Sequence, residues 1–370
     1  MHLFGGKTLI DRYVNRKHRI LIPILIFGKG GGVRVLSELS NYWIANGNEV
    51  TICCYYESPS PYYPLNANII WLDKNGEKTK CNITANPKNS VPKRIISLCK
   101  YLKRHSKDYD IVLANQNNTA ISVLLGSKAH NYYYIQAYEP EFYDELGISS
   151  TIKKMIAWTT YLYPMKRIVN ADIFKKYKNI RSKYVIPPGL NLQTYYPKSL
   201  NKENKTELVI GCIGRHEAWK GSEDVGEATR ILHERGYNVK LKVAFNPVSY
   251  KNHELVIPDG DSNLADYYRS LDVLIAPGHI QMGAIHYPVI EAMACNVPVI
   301  TTGYYPANNE NAFIVPIKRP DKIADVLISL INDYSIACTK SAIANKDIQR
   351  FDWNIVSNEF IEIFNKELNK

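Results

Sequence analysis

A chain of 370 residues, 45% of them hydrophobic, is long enough for two globular domains and too apolar to remain disordered. Lys and Arg exceed Asp and Glu by 46 − 35 = 11, which points to an anionic partner such as a nucleotide or a phospholipid surface. Nucleic acid is set aside, because no zinc-finger, helix-turn-helix or RNA-recognition pattern accompanies the charge. Seven cysteines without a C-x-x-C pair or regular spacing argue against a disulfide framework or a zinc site, and no apolar run approaches the ~20 residues of a membrane span. The expectation is a cytoplasmic chain with reduced, buried thiols.

Met1 to Arg19 holds five basic residues against one acidic, and residues 1–18 read as a basic extension ahead of the fold. Ile20 to Phe27 reads as a buried strand, followed by a glycine loop, Gly28 to Gly32. A helix bearing Val35, Leu36, Leu39, Tyr42 and Trp43 then stops at Gly47, and Val50 to Tyr55 completes a β-α-β unit. As a dinucleotide fingerprint the glycine loop lacks its third glycine at Val33, so an NAD-dependent oxidoreductase fits poorly. Pro92 to Lys107 predicts a helix with an apolar stripe and six Lys or Arg without an acid. Strands are expected at Ile111 to Ala114 and Tyr132 to Ile135, the second leading into a segment with Glu139 and Glu141. These two read either as loop carboxylates or as chemistry.

Lys198 to Thr206, polar and of mixed charge, is the expected interdomain linker. After it come a strand, Glu207 to Ile213, the segment Gly214-Arg215-x4-Lys220-Gly221, a helix, Ser222 to Arg235, and a strand, Val239 to Phe245. Leu271 to Pro277 predicts a buried strand that ends at Pro-Gly, and from about Pro288 the spacing of Val289, Ala292, Met293 and Val297 is helical. A second strand follows in VPVITTG. Strand, loop with Gly283 and Ala284, helix start and parallel strand form half a Rossmann unit, whose amides suit a phosphate. Glu291 is expected in the first turn, where it either favours the helix dipole or accepts the hydroxyls of a ribose.

The run Glu291-Ala-Met-Ala-Cys-x-x-Pro-Val-Ile resembles the signature helix of family-4 glycosyltransferases, GT-B enzymes that use nucleotide sugars. Gly214-Arg215-x4-Lys220-Gly221 is similar to that family's Gly-Arg-x4-Lys-Gly motif, PPGLNLQTYYP to the segment closing its first domain, and FDWNIVSNEFIEIF to its last helix. The resemblance implies that Arg215 and Lys220 neutralise the donor diphosphate without a metal and that Glu291 holds the ribose. It also implies that Gly30, Gly31 and the loop Gly283, Ala284, Ile285, His286 bring backbone close to the donor. Two positions depart from the family: Gly283 stands eight residues before Glu291, where a sugar-binding glutamate is common, and Gln136 stands where a histidine is common. The segment QAYEPEF is similar to stretches in a GT-B branch with bacterial surface-polysaccharide rhamnosyltransferases, which raises dTDP-rhamnose among UDP-, GDP- and dTDP-sugar donors. With the histidine absent, Glu139 is the nearest carboxylate candidate for a base.

The implied architecture is α/β, two Rossmann-like domains facing a central cleft: residues 19–197, a linker at 198–206, 207–345, and a C-terminal helix within 346–370 that returns to the first domain. The implied reaction transfers a sugar, with retention favoured over inversion, to a growing, lipid-linked glycan, without a cofactor. The basic extension and the basic helix would meet the anionic inner face of the plasma membrane. Alternatives are a sugar-nucleotide epimerase of the same fold and a non-catalytic GT-B protein that binds glycan or a partner.

Overall fold

The computed structural model describes residues 17–82, 90–143, 146–200 and 207–369. Residues 1–16 of the expected extension and 201–206 of the expected linker lie outside them. The chain divides into two compact units, Met1–Gly189 with Trp353–Lys370, and Leu190–Asp352.

In the first unit the elements run β1 Arg19–Ile24, α1 Gly31–Ala45, β2 Glu49–Tyr55, β3 Asn68–Leu72, β4 Lys78–Thr79, α2 Val91–His105 and β5 Ile111–Ala114. They continue with α3 Asn117–Gly126, β6 His130–Ile135, α4 Ile148–Thr160, β7 Lys166–Val169 and β8 Tyr184–Val185. The sheet order is β4-β3-β2-β1-β5-β6-β7-β8, parallel except for β4 against β3. Helices cover both faces of such a sheet, so its strands are continuous apolar runs, as in the wholly buried Ile111 to Ala114.

The C-terminal helix, Trp353–Leu368, completes this unit's core. Its Phe360 and Phe364 meet the Trp43 ring edge-on at 5.6 and 5.9 Å, and the Trp43 indole donates to the Ser357 carbonyl at 3.1 Å. His18 and Asn365 are hydrogen-bonded at 2.7 Å. Three aromatic rings buried together make this helix a large apolar contribution to the unit's core.

The second unit runs β9 Leu208–Gly214, α5 Ser222–Glu234, β10 Val239–Phe245, β11 Glu254–Val256, α6 Gly260–Arg269, β12 Val273–Ala276 and α7 Tyr287–Ala294. It ends with β13 Val299–Thr301, β14 Phe313–Ile314, α8 Pro320–Asn332 and α9 Ser335–Ile348. All six strands are parallel in the order β11-β10-β9-β12-β13-β14. One face is filled from α6, α7 and α9 (Tyr268, Met293, Ile348), the other from α5 and α8 (Val225, Leu232, Leu327).

The boundary falls earlier than the expected residue 197. Leu190 donates its amide to the Phe351 carbonyl at 2.7 Å, Tyr195 is buried in the second unit's core, and Arg269 donates to the Thr194 carbonyl at 3.2 Å. Segment 190–198 is thus a structural strap of the second unit, although PPGLNLQTYYP resembles a segment that closes the first domain. At the other end the division is at Asp352–Trp353 rather than 345–346, since Ile348 and Phe351 stay in the second core.

Candidate functional site

In the second sheet the strand order reverses between β9 and β12, and the carboxyl ends of these neighbours open the crevice in which α/β sheets bind ligands. β9 delivers Arg215 there. A Cβ on Gly214 would lie 1.6 Å from the Asn246 carbonyl oxygen, so only glycine lets the chain leave β10 beside Arg215. The turn that follows bends at Gly221, with φ +74°, where a Cβ would come within 2.2 Å of the Pro277 carbonyl oxygen. Trp219 accepts the amide of His279 at 2.8 Å, which ties this turn to the loop after β12. Both halves of the Gly-Arg-x4-Lys-Gly spacing therefore have a steric cause.

Arg215, Lys220, Ser222, Pro277, His286 and Pro288 line one small cavity at this edge. Lys220 lies with its ammonium 4.2 Å over the Trp219 ring. Burial, then the Arg215 charge, bring its pKa down to about 8, with Glu217 opposing. The His286 imidazole is pushed well below its ordinary value by burial first and then by Lys220 and Arg215. Its ring stacks on Tyr304 at 4.5 Å, and its Nδ1 is buried without a hydrogen-bond partner among the described residues. Two cations and an imidazole held together at mutual cost form a site whose strain a bound polyanion would relieve.

Sequence reasoning missed the groups that brace this cavity. The Ser222 hydroxyl lies 3.3 Å from the Arg215 carbonyl oxygen and 3.4 Å from its amide, and Asp224 pairs with His279 at 2.8 Å. Serine directly after Lys-Gly, at the start of a helix, is the one available signal for the first; the pairing of α5 with the loop after β12 left none.

Glu291 is not in the first turn. The helix begins at Tyr287, with Pro288 in its first two positions, and Glu291 is its fifth residue, only 2% exposed. Its Oε2 accepts the Tyr268 hydroxyl at 2.8 Å. The dipole explanation therefore fails, and Glu291 is a buried carboxylate braced by α6. The loop before it also differs from expectation. Gly283 gives its amide to the Gly303 carbonyl beyond β13 at 2.7 Å and Ala284 to the Gln281 carbonyl at 2.9 Å, while Ile285 pairs with Tyr305, so the first two amides are already engaged. His286 is the residue here whose side chain reaches the cavity.

In the first unit Gly30 caps α1 and Gly31 is its first residue, at the carboxyl end of β1 beside that sheet's own reversal. No side chain caps this helix, and a Cβ on Gly28 or Gly30 would meet nothing within 4 Å. The Gln136 amide donates to the Gly32 carbonyl at 3.3 Å, which places it against the glycine loop. Glu139 follows β6 at the N-terminus of α3. Its Oε2 and Oε1 accept the Asn117 amide at 2.8 and 3.1 Å, and Oε1 the Tyr133 hydroxyl at 3.2 Å. Burial raises its pKa to about 7 against those two hydrogen bonds. Glu141 accepts the Tyr177 hydroxyl at 2.5 Å. Among the described residues, no group of three or more His, Cys, Asp or Glu is placed to hold a metal ion.

Residues 207–333 match the family model described as Glycosyl transferases group 1. The capsular polysaccharide biosynthesis glycosyltransferase CapM of Staphylococcus aureus is 30% identical over 193 residues, 47% of this chain and 49% of that protein. A probable sucrose-phosphate synthase of Thermosipho melanesiensis is 22% identical over 215 residues, 52% of this chain and 49% of that one. The chain thus spans about half the length of these curated relatives. Among solved structures, sucrose-phosphate synthase from Thermosynechococcus elongatus superposes with a TM-score of 0.76 at 16% identity, over 96% of this chain and all of that one. HepE of Anabaena, in complex with UDP and glucose, gives 0.70 at 14%, over 94% and 100%. At these identities the likeness is one of fold, and the fold is GT-B. The group 1 match contains the cavity residues Arg215, Lys220 and His286, and also Glu291, which does not line that cavity.

Proposed function

We propose that the chain is a family-4-like glycosyltransferase that moves a hexosyl or deoxyhexosyl group from a nucleotide sugar to a growing, lipid-linked glycan of a surface polysaccharide. The observation that supports it best is the convergence of Arg215, Lys220 and His286 on the switch point of the second sheet. A departing nucleoside diphosphate gains negative charge, and fixed cations stabilise it most in the transition state. Arg215 and Lys220 supply that charge in this reading, which therefore needs no divalent ion. Glu291 accepts the ribose hydroxyls, and Gly30 and Gly31 let ligand approach the first sheet.

The glycan acceptor is supported by CapM, named for capsular polysaccharide biosynthesis, and the nucleotide-sugar donor by a HepE structure in complex with UDP-glucose. A dTDP-rhamnose donor rests on QAYEPEF alone. Retention is favoured, because the departing phosphate can itself take the acceptor proton. The enzyme would work at the inner face of the plasma membrane, drawn there by its basic surface. The test is a thermal-shift panel of UDP, GDP and dTDP, where a ligand at 100 times its Kd stabilises by about 2.7 kcal/mol. One of the three is expected to raise Tm in the native chain and not in Arg215→Ala. No shift with any of them would overturn the reading.

A further inference from the structure

Helix α4 is amphipathic the wrong way round. Ile148, Ile152, Met155 and Ile156 follow the i, i+4, i+7, i+8 spacing that normally turns a stripe to the core. Here they are 83, 51, 63 and 42% exposed, while the described core-facing positions are the small Ala157 and Thr160. Phe142, Leu146, Trp158 and Leu162, before, on and after the same helix, are exposed as well. Eight large exposed apolar side chains within 21 residues are concentrated along and beside this one helix, a density that monomeric surfaces rarely show.

The charge around the patch is mainly of one sign. From Phe142 to Lys183 the sequence holds nine Lys or Arg against three acids, Asp144, Glu145 and Asp172, the last paired with Lys175 at 2.9 Å. Lys153 and Lys154 sit on the helix itself. Segment 177–179 lies against it, with the Asn179 amide donating to the Trp158 carbonyl at 3.1 Å, so Lys176 and Lys178 flank it. At ~20 Å for 13 residues the helix is too short to span a bilayer and can only lie in its plane.

We infer that α4 is a membrane-seating helix, which buries Ile148, Ile152, Met155 and Trp158 in the interface of an anionic bilayer while the neighbouring lysines meet lipid phosphates. An apolar face rimmed by cations, with an indole at its edge, is the composition that interfacial helices share. Helix α2, the basic element expected to dock, lacks such a stripe: its Leu98, Tyr101 and Leu102 are buried, and its Arg104 is paired with Glu77. It can add attraction but not insertion. The seat also has a consequence for the site. α4 packs on the turn Glu139–Phe142, so Glu139 stands beside the membrane-facing helix of its unit. The inference rests on the reading above only for the identity of the membrane-side acceptor.

The experiment is co-sedimentation of the full chain with phosphatidylcholine vesicles, with and without phosphatidylglycerol, alongside the nucleotide thermal shift. The native chain is expected to pellet with the anionic vesicles only. Ile152→Asp with Met155→Asp should weaken that binding roughly a hundredfold, since burying each such side chain is worth about tenfold or more. Lys153→Glu with Lys154→Glu should weaken it about tenfold or more. Trp158 emission should shift to the blue on anionic vesicles, a change absent in Trp158→Phe. An unchanged nucleotide shift in these variants shows that they fold and keeps the seat separate from the donor site. Native protein left in the supernatant, or the Ile152/Met155 variant pelleting like native, would overturn the seat. So would a native dimer that this variant converts to monomer, which would assign the patch to a second copy.

Discussion

The hydroxyl of Tyr268 donates to Oε2 of Glu291 at 2.8 Å, and both residues are buried. This bond braces α6 against α7, a role separable from the ribose contact proposed for Glu291. Glu291→Ala leaves the phenol without this acceptor and is expected to cost about 1–3 kcal/mol in urea unfolding. Glu291→Gln keeps an acceptor oxygen and should cost under about 1 kcal/mol. Both should lose affinity for a nucleoside diphosphate if the carboxylate accepts ribose hydroxyls. An unaltered Kd in Glu291→Gln would leave a core carboxylate and nothing more.

Lys220 sets a pH limit. Its pKa is lowered to about 8 by burial and by Arg215, so the free site holds its full charge below that pH and loses it above. Nucleoside diphosphate affinity should therefore fall as pH rises through about 8, approaching tenfold per pH unit if one proton is linked. In Lys220→Arg the limb should move out of range, because guanidinium stays protonated. Lys220→Ala should lower turnover by roughly two orders of magnitude. A flat affinity profile in the native protein would detach Lys220 from the ligand.

The cations were legible because their spacing is enforced locally, by glycines at 214 and 221 that admit the Asn246 and Pro277 carbonyls. The Asp224–His279 pair was not, since it joins residues 55 apart, one in the first turn of α5 and one in the loop after β12. Most strands were legible as apolar runs in a fully covered parallel sheet, whereas the two-residue β4 carries no pattern to read. Segment 190–197 reads as the close of the first domain because the bonds that make it a strap of the second join it to residues 269 and 351, which no local pattern reveals. Helix α4 exposes a related limit: spacing identifies a stripe, but which side it faces depends on what lies over it.

His286 tests whether the imidazole or its ring plane matters. Burial and the two cations keep it neutral, able to donate from one nitrogen and accept at the other. His286→Phe preserves a ring against Tyr304 and removes both nitrogens. Calorimetric titration should show donor affinity about tenfold weaker, the scale of one hydrogen bond, with Tm nearly unchanged. Equal affinity would reduce His286 to packing.

Gly283 stands where a sugar-binding glutamate would be expected, and the backbone explains why restoring one should fail. Its φ is +86°, a region costing a side chain about 1–2 kcal/mol, and its amide is held by Gly303. Gly283→Glu is expected to lower Tm by roughly 2–8 °C without raising turnover. A faster, equally stable variant would show that the loop accepts the carboxylate after all.

Glu139 brings stability and stereochemistry together. Its folded pKa is about 7 against an ordinary 4.5, with burial the main cause, so between these values the folded chain keeps a proton that the unfolded chain releases. Its contribution is then full below about pH 4.5 and is lost as pH rises through about 7. Glu139→Gln is permanently neutral. Relative to it, the native chain should lose up to about 3 kcal/mol between these limits, read from urea midpoints across pH. A carboxyl titrating near 7 also suits a general base, worth perhaps 10² to 10⁴ in an inverting reaction. Yet its oxygens already accept the Asn117 amide and the Tyr133 hydroxyl, the bonds of a carboxylate that anchors α3. Retention needs no such base. The expected outcome is a product with the donor's anomeric configuration, read from its anomeric carbon–proton coupling, and a nearly normal rate in Glu139→Gln. An inverted product together with a rate loss of 10² or more in that variant would make Glu139 the base and overturn retention.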